Sequence, residues 1–140
     1  MTTKYILDST TLTHYQRGHP KVVTAVDARP RDELGVTTVN VEEALGGYYH
    51  LLRKARTPEA EEHATTLLAQ AVVILARFTI HPVTVAARTR FDALIKLKLN
   101  VGGHDLKIAA VALELGATVV TENARDFGRV PGLVWEDWTA

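Results

Sequence analysis

Cysteine is absent from the 140 residues, which rules out disulfides, zinc–thiolate sites and thiol nucleophiles. That absence suits a reducing cytosol. An excess of one charge is missing too: Lys+Arg and Asp+Glu are both 16, so nothing announces a nucleic-acid partner held through bulk charge. A protein that clamps a short stretch at a local site is compatible with this balance. Long apolar runs are also lacking. The longest, Ala71 to Ala76, is far short of a membrane span. The opening MTTKYILDST has too short an apolar run for a signal peptide, and Asp8 interrupts it. The expectation is a soluble, cytoplasmic protein. Two phosphate-binding signatures are absent, the Gly-x-Gly-x-x-Gly of dinucleotide-binding domains and the Gly-x-x-x-x-Gly-Lys-Ser/Thr of P-loop enzymes. Thr10 stands where a phosphoaspartyl phosphatase usually has a second aspartate.

What is present fits one domain over residues 1–140, with apolar residues at 46% and charged residues at 23% in the balance of a globular protein. Lys4 to Leu7 reads as a first strand ending at an acid, and Thr11 to Arg17 as a short helix closed by Gly18 and Pro20. Lys21 to Ala28 predicts another helical segment before Arg29-Pro30. The β-branched stretch Leu34 to Val39 predicts a second strand, after which Asn40 serves as N-cap of a helix over Val41 to Arg53. Thr57-Pro58 opens another helix that runs through Leu75. Phe78 to Ile80 reads as a short strand, and Val83 to about Asn100 as an amphipathic helix. Asp105 to Leu115 forms a compact apolar helix stopped by Gly116, followed by a buried strand Ala117 to Thr121 and a last one at Leu133 to Trp135. Strands alternating with helices predict a three-layer α/β/α architecture around a mostly parallel sheet.

On that map the acids fall in a pattern. Asp8 ends the first strand, Glu43 lies in the first turn of the helix after the second strand, Asp105 opens a helix, and Asp126 follows the strand Ala117 to Thr121. In a parallel sheet the carboxyl ends of strands and the amino ends of the following helices share one edge. Asp105 needs a further step. Its helix spans roughly 16 Å and the returning strand about the same, so the chain comes back to the level where it left. Four acids on one edge repel unless a cation lies between them. A hard divalent ion such as Mg²⁺ or Mn²⁺ takes carboxylate oxygens and is completed by substrate phosphate, which points to phosphodiester hydrolysis.

Each acid also has a bland account. Asp8 serves equally as a turn residue. Asn40-x-x-Glu43 has the form of a capping box, Asp105 suits the positive end of a helix dipole, and Asp126 an ordinary surface loop. Their coincidence on one edge is what favours the site. Arg125, Arg129 and Lys107 are candidate phosphate contacts, or simply solvated charges. The six histidines show no metal-ligand spacing, although His104 adjoins Asp105. Trp135 and Trp138 read as packing at the chain end. Gly46-Gly47 inside a helix predicts a close contact there, with helix packing or a dimer partner as its cause.

The residues so placed resemble the PIN-domain endoribonucleases, in particular VapC-type toxins of toxin–antitoxin modules. Tyr5-Ile6-Leu7-Asp8-Ser9-Thr10 is similar to the family's opening strand and first acid. Thr37 to Gly47 is similar to its second block, in which a glutamate precedes glycine by four residues; Glu43 and Glu42 both meet that offset. His104-Asp105-Leu106-Lys107-Ile108-Ala109-Ala110 matches its aspartate before an Ile-Ala-Ala helix, continuing through Ala117 to Phe127 into Val130-Pro131-Gly132-Leu133. Many relatives have an aspartate where this chain has Asn123, so the fourth acid falls to Asp126. The resemblance implies a Mg²⁺- or Mn²⁺-dependent nuclease cutting single-stranded RNA, with Asp8, Glu43 and Asp105 at the metal and Asp126 beside them. It further implies a homodimer and a cognate antitoxin protein. The competing expectation is a PIN-like binding module that sequesters RNA or a protein partner without cutting.

Overall fold

The computed structural model describes residues 2–140. Five strands form one sheet: β1 (Tyr5–Leu7), β2 (Leu34–Thr37), β3 (Thr79–His81), β4 (Thr118–Val120) and β5 (Trp135–Glu136). Their order is β3-β2-β1-β4-β5 and every pairing is parallel. The helices are α1 (Ser9–Gln16), α2 (Pro20–Asp27), α3 (Thr38–Lys54), α4 (Pro58–Leu75), α5 (Val85–Lys96), α6 (Gly103–Leu115) and the single turn α7 (Ala124–Phe127). The expected three-layer α/β/α arrangement is therefore present, with a sheet that is wholly rather than mostly parallel.

Alternation along the strands divides the core in two. Ile6 and Val119 face α5 and α6 and pack with Leu94, Leu106, Ile108, Ala109 and Phe127. Leu7, Val36 and Val120 face the opposite way and pack with Leu12, Val22, Val26 and Leu75 from α1, α2 and α4. Three alanines line the buried face of α6, where Ala109, Ala110 and Ala112 are completely buried. Small side chains let this helix lie close against the strands it must bring into register. Gly116, with φ +65°, ends it in the left-handed conformation that glycine adopts without strain.

The tightest spot in the sheet is Gly35 in β2. A Cβ there would come within 2.9 Å of Thr3 Cγ2 and 3.0 Å of the His81 ring. Thr3 and His81 are hydrogen-bonded across it at 2.8 Å, so the strand passes beneath that pair only as glycine.

Several element boundaries differ from the sequence expectation, for identifiable reasons. The helix α1 begins at Ser9, not Thr11, because Asp8 caps it by accepting from the Thr11 amide at 2.8 Å. β2 stops at Thr37, and Thr38 and Val39 are helical despite their β-branched side chains. Thr37 is the N-cap of α3, and Asn40 is the partner three residues on; each side chain binds the other's amide. Asn40 is thus not the N-cap, and Glu43 belongs to no capping box. The helix α5 ends at Lys96, ahead of Lys98 and Asn100, whose φ values of 53° and 59° are left-handed; the Gly102-Gly103 pair begins α6 instead of closing α5. Phe78 precedes β3 as a buried anchor, and the last strand is displaced to Trp135–Glu136. Gly46 and Gly47 are exposed on α3, and a methyl group added at either would meet nothing within 4 Å, so no close contact within the chain explains them. Trp138 is packing as expected, edge-on to Tyr5 at 5.1 Å, whereas Trp135 is partly exposed.

Candidate active site

The four acids come from four different places in the chain and meet where the strands end. Asp8 follows β1 directly and is buried. Its carboxylate accepts from the Thr11 amide at 2.8 Å and is approached by the Thr121 hydroxyl at the end of β4. Burial pushes the Asp8 carboxyl above its ordinary value. The hydrogen bonds oppose that shift, and the nearby Glu122 charge adds to it.

Glu43 lies near the start of α3, free of any capping duty. Its Oε1 accepts from Ser9 Oγ at 2.7 Å, and Ser9 in turn accepts from the Asn40 side-chain amide at 3.1 Å. Asn40 therefore links two jobs: one end completes the capping box, and the other steers Ser9 toward the glutamate. Glu43 Oε2 lies 3.3 Å from His104 Nδ1. Glu42 is the more exposed of the two neighbours and reaches only to 3.9 Å from His104 Nε2. Of the two glutamates, Glu43, which the sequence register favours, is the one held by Ser9.

Asp105 is the third residue of α6 and half-buried. Burial raises its carboxyl first, followed by the charges of Asp8, Glu43 and Asp126, with His104 pulling the other way. The other three acids thus lie near enough to act on Asp105. Asp126 lies on α7 rather than in an open loop. Asn123, where many relatives have an aspartate, caps that turn and donates from Nδ2 to Asp126 Oδ2 at 3.0 Å. The asparagine thereby orients the acid that follows it.

Two of the three candidate phosphate contacts are otherwise engaged. Lys107 lies 5.3 Å over the Phe91 ring. Arg129 donates to the Asn100 carbonyl at 3.0 Å and sits 3.7 Å from Asp126. Arg125 is exposed. Sequence reasoning missed Ser9, Asn40 and Thr121 as positioning groups, because a hydroxyl or amide carries no signature until its partner is known. It also missed the His14–Glu122 pair, at 2.8 Å, beside Asp8. Among the described residues no group of three or more acidic or histidine side chains stands close enough together, as placed, to hold a metal ion, and no helix is long and apolar enough to cross a membrane.

Comparison with known proteins agrees with this fold. Ribonuclease VapC1 of Haemophilus influenzae (strain R2866) is 26% identical over 137 residues, covering 96% of this chain and 98% of the relative. Among solved structures, DNA-bound VapBC from Salmonella typhimurium superposes with a TM-score of 0.80 at 24% identity, over 98% of this chain and 99% of the other. VapBC-1 from nontypeable Haemophilus influenzae gives 0.75 at 23% identity, over 99% and 100%. The family model of the PIN domain matches residues 5–133, and the chain belongs to the PIN-domain family.

Proposed function

We propose that the chain is a Mg²⁺- or Mn²⁺-dependent endoribonuclease that hydrolyses phosphodiester bonds in single-stranded RNA and acts as the toxin of a toxin–antitoxin pair. The observation that carries this reading is the gathering of acids at one strand edge, where burial first and then the charges of Asp8, Glu43 and Asp126 raise the Asp105 carboxyl. Such repulsion is the energy a cation relieves. The donors are hard carboxylate oxygens, and Mg²⁺ needs no complete protein cage because it keeps several waters and takes substrate phosphate. When bound, the ion lowers the pKa of a water and stabilises charge on the phosphodiester.

Asp8 and Asp105 are the first candidates to hold that ion. The Asp8 carboxylate is oriented by the Thr11 amide that it caps and by the Thr121 hydroxyl. Glu43 completes the set and orients or deprotonates the attacking water, with Ser9 fixing one of its oxygens. Asp126, held by Asn123, tunes the cluster or serves a second ion. The names of the relatives, a ribonuclease and the VapBC complexes, support a cognate antitoxin and a nuclease activity. A homodimer belongs to the same proposal, and the exposed Val72, Val73, Val85 and Ile95 offer it apolar surface.

The test is cleavage of a mixed RNA pool by wild type and Asp8→Asn with Mn²⁺, Mg²⁺ or EDTA. Metal-dependent cleavage should fall by roughly 10³-fold or more in the variant, in line with several kcal/mol of metal-derived stabilisation. Full activity in a folded Asp8→Asn protein removes the site assignment. Folded wild type, free of antitoxin, that binds RNA stoichiometrically but never cuts it supports the binding module instead.

A further inference from the structure

At the opposite end of the same strands lies a cavity of about 260 Å³, distinct from the acidic edge. Its floor is apolar: Val26, Leu34 and Phe78 are all buried. Its rim carries Arg29, Arg31 and Arg77 against one carboxylate, Asp27. In a chain with equal numbers of acids and bases, three converging arginines would be expected to find carboxylates. Arg88, Arg90 and Arg129 do so elsewhere. Among the described residues none of the three rim arginines has an acidic partner within ion-pair distance.

Two of the three are held in place by other means. The Arg29 guanidinium stacks over Trp138 at 4.2 Å and Tyr5 at 4.9 Å, and Nη1 donates to the Ala25 carbonyl at 2.7 Å. Arg77 donates to the Tyr15 hydroxyl at 2.7 Å, and Tyr15 itself lies edge-on to Phe78. These contacts use only part of each fork. The remaining N–H groups are fixed in advance, so an incoming anion need not order them. Arg31, on the exposed 3-10 turn before β2, lines the same cavity. A planar, permanently charged donor fork matches phosphate oxygens better than any other side chain does.

We propose that this cavity binds a nucleotide phosphate, with the three arginines on the phosphate and the apolar floor beneath the body that carries it. A free mononucleotide and a nucleotide unit of an RNA strand present the same phosphate chemistry to it. The site does not depend on the catalytic reading of the acidic edge, because it shares no residue with it.

The test uses the full chain in EDTA, which silences metal-mediated binding at the carboxylates. Inorganic phosphate, AMP and a 2′-O-methyl oligonucleotide are titrated calorimetrically against wild type, Arg31→Gln, Arg31→Gln/Arg77→Gln and Asp8→Asn. AMP should bind saturably and salt-dependently, lose about tenfold or more in affinity in the double variant, and bind Asp8→Asn as it binds wild type. The Arg31 side chain is exposed, so weaker binding by a folded Arg31→Gln protein cannot be traced to a damaged core. Oligonucleotide binding that falls in parallel identifies an RNA strand as the source, and oligonucleotide binding that is unchanged identifies the free nucleotide. Absence of saturable binding to all three probes, or binding indifferent to both arginine variants, overturns the proposal.

Discussion

The two ends of one parallel sheet carry opposite solutions to the same problem of charge. At the carboxyl ends, Asp8 and Asp105 are kept partly out of water and close to other acids, and their carboxyls are raised as a result. At the amino ends, three arginines gather around one aspartate, Asp27, with stacking, carbonyl and hydroxyl partners, and among the described residues none of the three has an acid within ion-pair distance. The chain as a whole is neutral, so its net charge conceals this division. What decides binding is the local field. A neutral total is weak evidence against an anionic substrate when basic and acidic groups are sorted to different edges.

The contrast can be tested from either side. The largest effect is expected from Glu43→Gln beside Glu42→Gln in the RNA cleavage assay. If Ser9 and His104 mark the working glutamate, Glu43→Gln should lose roughly 10²-fold or more of the rate, while Glu42→Gln stays near wild type. Equal losses would show that the hydrogen bond from Ser9 is only structural.

Gly35→Ala probes the middle of the sheet, away from both charged edges. It should destabilise by about 1–3 kcal/mol, since Thr3 and His81 must separate to admit a methyl group. Denaturant unfolding measures it, and a change within about 0.5 kcal/mol would mean that the Thr3–His81 pair yields freely.

The smallest effects concern stability at the acidic edge. Raised carboxyls mean that the folded state holds its protons more tightly than the unfolded chain. Metal-free protein should therefore lose stability as pH rises from the ordinary aspartate value of 3.8 through the raised folded values, and keep that loss at neutral pH. Asp105→Asn should remove part of the loss and raise Tm at pH 7 by about a few degrees. Mn²⁺ should raise the wild-type Tm and do less for the variant. A lower Tm in Asp105→Asn without metal would mean that the carboxylate makes a stabilising contact that outweighs the repulsion.

Much of this was legible in the sequence. Thr57-Pro58, Gly116 and the alanine-rich α6 use local chemistry that acts on the nearest few residues, so each could be read in isolation. The parallel sheet followed from alternation, and placement of the acids on one edge followed from lengths of helix and strand. The start of α3 was misread because Asn40 is a good cap in itself; only the buried Thr37 hydroxyl, poised at the end of β2, took that role from it. The short α7 was missed because a single turn has no periodicity to show.

Residue order alone settled which groups would be available: four acids at chain positions that a parallel α/β chain returns to one edge, and no cysteine or glycine-rich loop to offer other chemistry. Folding chose which of them are positioned. Ser9, Asn40, Thr121 and Asn123 acquire meaning only through partners brought near in the packed chain, as Ser9 and Glu43 are, 34 residues apart in sequence. The same holds for Arg29, Arg31 and Arg77, whose side chains surround one cavity although the chain separates Arg31 from Arg77 by two long helices. Local interactions are written in neighbouring residues, whereas burial and Coulomb coupling depend on distances that only the packed chain sets.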